Sequence, residues 1–195
     1  MLTPESIWRI FTSCQALRQG HFLLSSGRHS DQYVQCAQVL QHPEYAELLG
    51  REIADRLGVN RVEAVVGPAL GGILVAHEVA RVLGARAMFA ERVDGSLTLR
   101  RSFSLEEGER VVVVEDVLTT GGSIQELMAL VRGCGAEVVA AAALVDRSGG
   151  KVDLGVPAVT LISVSFATYR PEECPLCRQG LPVEKPGSRA QAPNG

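Results

Sequence analysis

The chain has few of the features that mark membrane, secreted or nucleic-acid-binding proteins. No stretch of its 195 residues approaches the roughly 20 consecutive apolar residues that span a bilayer. The N-terminal sequence MLTPESIWRI lacks the basic-then-apolar layout of a signal peptide. The formal net charge is −3 and the basic residues form no blocks, so no electrostatic footprint for nucleic acid is visible. We therefore expect a soluble cytoplasmic protein with no membrane or nucleic-acid partner.

The cysteines are few and form no dense disulfide framework. They stand at positions 14, 36, 134, 174 and 177. An odd number without regular spacing is typical of a reducing compartment. Cys174 and Cys177 form a C-x-x-C motif, but one pair cannot fill a four-coordinate zinc site unless a second chain or Cys14 and Cys36 contribute. We interpret this segment as a structural loop, with zinc or a disulfide as minority alternatives, and expect His29 at the surface, although it could touch substrate.

Composition and periodicity predict one α/β domain. With 46% hydrophobic residues, the chain is long enough to bury one substantial core. From about residue 62, short β-branched runs alternate with helical periodicity, which is typical of a parallel sheet covered by helices. Strands are predicted at 62–67, 86–91, 111–116, 138–146 and 158–165. One helix is predicted after the first strand, and another from near Ser123 to Gly133.

The two ends of the chain differ from this pattern. Helical signals at about 4–18 and 43–57 flank a middle segment, HFLLSSGRHSDQYVQCA, that is typical of a hairpin or hood packed onto the sheet. The domain is predicted to span residues 1–183, with the hood at about 1–60 and the core at about 61–170. The tail, residues 184–195, has too little apolar surface to offset its ordering entropy, so we expect it to be mobile.

The most informative stretch is VVVVEDVLTTGGS, residues 111–123. Glu115 and Asp116 stand where a buried parallel strand would stop, and open parallel sheets bind ligands at that edge. The segment 119–123 then enters a helix, so hydroxyls, backbone N–H groups and a helix N-terminus converge on one point. Gly121 and Gly122 permit the close approach that a phosphate needs. The pattern favours a ribose phosphate, with the acids on the sugar hydroxyls and the loop on the 5′-phosphate.

Other interpretations of this stretch are weaker. The chain contains neither GxxxxGK[ST] nor GxGxxG, which disfavours a nucleoside triphosphate or dinucleotide site. Alternatively, the acids simply end a strand and TTGGS is a turn with Ser123 as N-cap.

The stretch resembles the phosphoribosyl-diphosphate signature of the type I phosphoribosyltransferases at all thirteen positions. The signature consists of four apolar residues, two acids, two apolar residues and a Thr/Gly/Ser loop. Further segments, 21–34, 67–76 and 89–92 with Asp146 and Arg147, are together similar to the orotate-specific members of that family. The likeness extends over roughly residues 5–188.

The resemblance implies a fold, a reaction and partners. The fold would be the type I phosphoribosyltransferase fold, α/β, with a central, mostly parallel sheet flanked by helices and an N-terminal hood. The reaction would be a pentosyl transfer from 5-phosphoribosyl 1-diphosphate to orotate, giving orotidine 5′-phosphate and diphosphate in pyrimidine synthesis. The cofactor would be Mg²⁺ and the assembly a homodimer.

The same resemblance assigns roles to individual residues. Asp116 and Glu115 would be catalytic, binding the ribose hydroxyls and stabilising the positive charge that develops on the sugar. The phosphoribosyl-diphosphate site would comprise Glu115, Asp116, Val117, Leu118, Thr119, Thr120, Gly121, Gly122, Ser123 and Arg92. Orotate would be bound by Thr119 and Arg147, whose guanidinium fork suits a carboxylate. The metal ligands are unknown, because Mg²⁺ would bind mostly through substrate oxygens.

Three further segments match the family in part. The turn PALGG at 68–72 resembles its pyrophosphate-binding turn, with Gly71 where a lysine often stands, although an ordinary strand-to-helix turn would have similar residues. In the hood, the segment 26–28 and Tyr33 fall where the family closes over orotate, and Ser25 replaces a frequent lysine. The segment 92–103 is expected to be a mobile lid that crosses a dimer interface, and it lacks the family's lysines and histidine.

Three other functions remain open. A purine or xanthine phosphoribosyltransferase would keep the 115–123 cradle but alter the hood and Arg147. A non-catalytic regulator that senses phosphoribosyl diphosphate and binds nucleic acid would carry a basic face or an added domain. A plain structural domain would need no acid pair at a strand end. The segment SSGRHSDQY and Arg147 favour orotate.

Overall fold

The protein is built on two β-sheets of unequal size. The computed structural model describes residues 1–24 and 26–186. The strands are β1 Leu17–Leu23, β2 His29–Val34, β3 Ala64–Pro68, β4 Arg86–Val93, β5 Ser96–Leu99, β6 Arg110–Leu118, β7 Glu137–Asp146, β8 Ala158–Ser163 and β9 Thr168–Tyr169. The α-helices are α1 Pro4–Ser13, α2 Ala37–Leu40, α3 Pro43–Leu57, α4 Gly71–Leu83, α5 Gly122–Gly133 and α6 Pro175–Arg178. A 3₁₀ turn, Pro171–Glu173, precedes α6.

The larger sheet has six strands in the order β5-β4-β3-β6-β7-β8. All of its neighbouring strands run parallel except β5, which pairs antiparallel with β4. The carboxyl ends of β3, β6 and β7 therefore meet at one edge, where open α/β sheets bind ligands. The register aligns Leu118 with Asp146, so β6 and β7 end level with each other. Val66 is aligned with Val113 and β3 ends at Pro68, so β3 ends nearer the level of the acid pair.

The run of four valines in β6 is explained by burial on both faces of the sheet. Val112 and Val114 pack into the core that α1, α3 and α4 form on one side. Val111 and Val113 pack against α5 on the other side. All four side chains are fully buried. Because alternate residues of a strand face opposite sides, only a continuous apolar run satisfies both cores.

The predicted fold class is confirmed, as are the five predicted strands of the large sheet. The helix predicted to reach residue 18 is wrong after Ser13. Cys14 ends α1, Gln15 has a φ of 53°, and β1 begins at Leu17. The segment 92–103 is also more regular than expected, because β5 forms a hairpin with β4 through a two-residue turn.

The hood is a small antiparallel sheet to which both ends of the chain contribute. Its order is β1-β2-β9, so the C-terminal strand β9 completes a hairpin made by the N-terminal segment. Glu184 extends the same structure: its N–H donates to the His21 carbonyl at 2.7 Å and its carboxylate pairs with Arg18 at 2.8 Å. Residues 187–195 lie outside the described residues, as does Ser25, so the mobility of the tail and the limits of the domain stay predictions.

Within residues 1–24 and 26–186, none of the helices combines the length and the apolar character that crossing a lipid bilayer requires.

Candidate active site

The acid pair lies at the carboxyl end of β6, beside the ends of β3 and β7. Glu115 and Asp116 are both half-buried. Burial raises the pKa of the Asp116 carboxyl, and the backbone N–H groups of Val117 and Asp116 offset part of that rise. The strand continues to Leu118, two residues past its predicted end. The acids thus belong to the pleated strand, which fixes their direction more firmly than a loop would.

The loop after β6 has the form of an anion cradle. Thr119 and Thr120 are exposed, and Gly121 acts as the N-cap of α5 with a φ of 82°. No backbone hydrogen bond from the amides of residues 119–121 reaches another part of the described chain. The N-terminus of α5 follows directly at Gly122, and helix N-termini present backbone N–H groups to ligands. Together these donors and the positive helix end suit a phosphate.

Gly121 is required by both its backbone and its surroundings. A Cβ at this position would lie 2.6 Å from Cγ1 of Val152, well inside van der Waals contact. Its positive φ is also unfavourable for residues with a side chain. Val152 therefore supports the cradle from behind.

The turn after β3 lies directly against the acid pair. Pro68 ends β3 and α4 begins at Gly71, and the peptide bond between Ala69 and Leu70 is cis. A Cβ added to Gly71 would overlap the Asp116 carboxylate, so with any larger residue there the carboxylate or the turn must shift. The absence of the lysine that the family often carries in this turn has a local reason in this chain: the position is filled by the carboxylate of Asp116.

Arg147 follows β7 at the same edge and is half-buried. Its guanidinium carbon lies 5.3 Å from the centre of the Phe166 ring, and its backbone N–H donates to the Leu118 carbonyl at 2.7 Å. No carboxylate in residues 1–24 or 26–186 lies within ion-pair distance of this guanidinium. Burial lowers the pKa of Arg147, and Tyr33 acts in the opposite direction.

Asp146 is not the partner of Arg147, although it is adjacent in sequence. Its carboxylate accepts hydrogen bonds from the N–H groups of Ser148 and Gly150, at 2.6 and 2.9 Å, and from the Ser163 hydroxyl. Burial alone would raise the pKa of Asp146, but these bonds outweigh it and hold the pKa below its ordinary value. Asp146 therefore shapes the loop and leaves the guanidinium of Arg147 for another anion.

The hood contributes Tyr33 to this edge. Burial raises the pKa of Tyr33, the charge of Asp116 raises it further, and that of Arg147 lowers it. The phenol is therefore within electrostatic reach of the acid pair and of the predicted orotate-binding arginine. Cys36, for which the sequence suggests only a possible role as a zinc ligand, donates its thiol to the Asp116 carbonyl at 3.7 Å. Arg28 is used structurally, since it donates to the side chain and carbonyl of Thr168 in β9.

Arg92 is engaged in an ion pair with the helix that follows the cradle. It is at the end of β4, and its guanidinium pairs with Glu126 of α5 at 2.7 Å, with both side chains 35% exposed. Arg101, further along the hairpin, pairs with Glu91. The described chain therefore places the acid pair, the cradle and Arg147 at the carboxyl ends of β6 and β7. The predicted contact of Arg92 with phosphoribosyl diphosphate stays a prediction, since its guanidinium pairs with Glu126.

Comparisons with known proteins agree with this geometry. Residues 35–168 match the family model described as "Phosphoribosyl transferase domain". The curated orotate phosphoribosyltransferase of Desulforamulus reducens is 57% identical over 188 residues, which is 96% of this chain and 98% of the relative. That of Caldanaerobacter subterraneus subsp. tengcongensis is 52% identical and covers 96% and 99%. The crystal structure of orotate phosphoribosyltransferase from Aeropyrum pernix has a TM-score of 0.67 at 30% identity, covering 80% of this chain and 92% of that one.

The identity to these relatives extends over nearly the whole chain. At 52 and 57% it indicates the orotate-specific branch of the family, and not only a shared fold. The resemblance carried by residues 111–123 is thereby confirmed. The chain belongs to the orotate phosphoribosyltransferase family, within the phosphoribosyl transferase domain proteins.

Proposed function

We propose that the protein transfers the phosphoribosyl group of 5-phosphoribosyl 1-diphosphate to orotate, with Arg147 holding the orotate carboxylate. The observation that supports this most directly is the half-buried Arg147 guanidinium, which has no carboxylate partner in the described chain. Removing a cation from water without pairing it is costly, so such a group is suited to bind an anionic ligand. Orotate, unlike uracil or the purine bases, carries a carboxylate that a guanidinium fork can bind through two hydrogen bonds.

Two groups act on the sugar in this proposal. Glu115 and Asp116 accept hydrogen bonds from the ribose hydroxyls, while the 119–123 cradle holds the 5′-phosphate. As the bond to diphosphate breaks, positive charge develops on the ribose ring, and the nearby carboxylates stabilise it more than they stabilise the ground state. The half-burial of Asp116 strengthens this effect, because less water screens its charge. Thr119 is exposed at the cradle and would also contact orotate.

The donor set is compatible with Mg²⁺. The oxygens of Glu115 and Asp116 are hard ligands of the kind that Mg²⁺ prefers, and the overlap of a Gly71 Cβ with Asp116 indicates a turn that brings the diphosphate close to these acids. These two residues would hold the ion through water or through the ribose hydroxyls that they bind. Bound there, the ion would neutralise the charge of the leaving diphosphate.

The proposal connects binding of the diphosphate with formation of a homodimer. The turn 68–72 would meet the leaving group through backbone N–H groups. Arg92 would bind diphosphate in the partner subunit of a homodimer after leaving Glu126. Exposed ion pairs contribute only about 0–1 kcal/mol, so this exchange is energetically accessible. A cytoplasmic location belongs to the same proposal, since both substrates are small, charged intermediates of nucleotide synthesis.

The choice of base tests the proposed reaction. Purified protein is mixed with Mg²⁺ and 5-phosphoribosyl 1-diphosphate, and orotate, uracil, hypoxanthine or xanthine is supplied in parallel. We expect orotate to be consumed and diphosphate to be released in equal amount. Consumption of a purine base in place of orotate, or of no base at all, would contradict the proposal.

Arg147→Lys should raise the KM for orotate by about 10- to 100-fold. Lysine keeps the charge but loses the planar fork, and a hydrogen bond to a charged group contributes about 1.5–3 kcal/mol. The KM for phosphoribosyl diphosphate should not change, because Arg147 contacts this part of the site through its backbone hydrogen bond to Leu118, which the substitution preserves. Arg132→Lys, at an exposed position on α5, is the matched control. Equal KM values for orotate in both variants would show that Arg147 does not bind the base.

A further inference from the structure

Four side chains of metal-binding types converge between the hood and the C-terminal segment. His21 lies on β1 and His29 on β2. Cys174 is the N-cap of the short helix α6, and Cys177 lies within that helix. Their ligand atoms all lie within 4.8 Å of one another. We propose that these four residues form a structural Zn²⁺ site with tetrahedral Cys₂His₂ coordination.

The distances between the ligand atoms suit a zinc ion. Nε2 of His21 lies 3.5 Å from Sγ of Cys174 and 3.6 Å from Sγ of Cys177, and Nδ1 of His29 lies 3.3 Å from Sγ of Cys177. With Zn–S near 2.3 Å and Zn–N near 2.0–2.1 Å, a tetrahedral site separates its ligand atoms by about 3.3–3.8 Å. The two imidazole nitrogens are closer, at 2.8 Å. A small rotation of either ring brings this pair to the same range.

The orientation of His21 is that of a metal ligand. Its Nδ1 lies 2.9 Å from the carbonyl oxygen of Leu181, which can only accept a hydrogen bond, so Nδ1 carries the proton. In the neutral ring Nε2 then holds a lone pair, and Nε2 is the atom that faces both sulfurs and His29. Zinc-binding histidines commonly donate their second nitrogen to a carbonyl or carboxylate in this way.

A metal ion would give all four side chains a strong partner, whereas hydrogen bonds alone would do so only for the two histidines. Without an ion, Nδ1–H of His29 would donate to Nε2 of His21, and the two thiols would have only weak partners. Cys174, His21 and His29 are buried, at 0, 4 and 7% exposure, so poorly satisfied groups there would be costly. Two thiolates also balance the charge of Zn²⁺, and a set of two sulfurs and two imidazoles is typical of zinc.

The site would join parts of the chain that are far apart in sequence. Its histidines and cysteines are separated by 148 to 156 positions in the measured pairs. Closing so long a loop removes much entropy from the unfolded chain. The ion would therefore hold the C-terminal segment on the hood, together with the β2–β9 pairing, and would steady the strand that carries Tyr33. Neither Cys14 nor Cys36 belongs to this cluster, and Cys36 packs at the Asp116 carbonyl instead.

Metal content and spectroscopy test the site directly. The full chain is purified without a polyhistidine tag, and zinc is measured by mass spectrometry. We expect about one Zn²⁺ per chain. After replacement of zinc by Co²⁺, the protein should show tetrahedral d–d bands and a thiolate-to-cobalt charge-transfer band. Cys177→Ser should lower the affinity for Zn²⁺ by at least about 100-fold in competition with a chromophoric chelator. Cys134→Ser, at an exposed cysteine outside the cluster, should bind as the unmodified protein does.

Chelation separates a structural ion from an incidental one. Removal of zinc should lower the Tm of the unmodified protein and of Cys134→Ser by about 10 °C, and should leave the Tm of Cys177→Ser unchanged. Three results would overturn the site: a metal-free protein that binds Zn²⁺ no more tightly than Cys177→Ser, a Tm that does not respond to chelation, or a mass showing Cys174 and Cys177 joined as a disulfide. None of these measurements depends on the reaction proposed for the active site.

Discussion

Asp116→Asn should lower kcat by about 10²- to 10³-fold and leave the fold intact. The substitution keeps the shape of the side chain but removes the negative charge that faces the developing cation of the ribose. The loss of one preorganised electrostatic group at a site of developing charge typically has this magnitude. The KM for phosphoribosyl diphosphate should change less, because the amides of the cradle remain. Steady-state kinetics with both substrates varied measure the two effects separately.

The direction of the Asp116 pKa shift predicts how the substitution Asp116→Asn changes the stability of the protein. Because burial raises the pKa of Asp116, this group favours folding most below its unfolded pKa of about 3.9, and that contribution is lost as the pH rises through its folded-state pKa. The neutral variant does not incur this loss. Its Tm at pH 7 should therefore equal or exceed that of the unmodified protein, and the difference should shrink on acidification.

Asp55→Asn is the control for Asp116→Asn, since Asp55 is exposed on α3. It should leave kcat unchanged. If Asp116→Asn retained full activity, or if the control lost as much, the catalytic role assigned to Asp116 would be wrong.

The large sheet could be predicted because its signals are local. The run of four valines in β6 predicts a strand buried on both faces, and the two acids that follow the valines are expected at the carboxyl end of that strand. The helix α5 likewise follows from its periodicity and from the glycines before it. The fold class, and the position of the acids and the cradle at the end of β6, could therefore be predicted from the sequence.

The β4–β5 hairpin was missed although a signal for it was present. Asp94 and Gly95 both have a positive φ, 48° and 88°, which is the backbone of the two-residue turn that joins antiparallel strands. The polar residues around the turn favoured the interpretation as a mobile lid. An Asp-Gly pair between strand-like residues is the stronger indication.

The Cys₂His₂ cluster could not be predicted in the same way. Its cysteines have the spacing of a half-site, but the two histidines lie on a hairpin near the other end of the chain. Only the pairing of β2 with β9 brings the two halves together. A single sequence holds no local trace of such a long-range contact, so the sequence suggests Cys14, Cys36 or a second chain as further ligands and not the two histidines.

Gly71→Ala should lower kcat/KM by about 10²-fold, nearly as much as the loss of Asp116 itself. The added methyl group would occupy the space of the Asp116 carboxylate, so either the carboxylate or the turn must move. A displacement of a catalytic group by about 1 Å is enough for a loss of this size. The backbone of Gly71 does not itself require glycine, because it begins α4 with ordinary helical geometry, where alanine is well tolerated. The Tm should therefore change little.

A double substitution distinguishes displacement of Asp116 from a general disturbance of the turn. If Gly71→Ala acts through the carboxylate, then Gly71→Ala combined with Asp116→Asn should be little slower than Asp116→Asn alone, because both changes remove the same interaction. Additive losses would show that the turn acts independently of Asp116. Gly133→Ala on α5 is the matched control, since a Cβ there meets no atom within 4 Å, and it should leave kcat/KM unchanged. The steric fit between residues 71 and 116 thus makes the glycine a specific requirement of the acid pair.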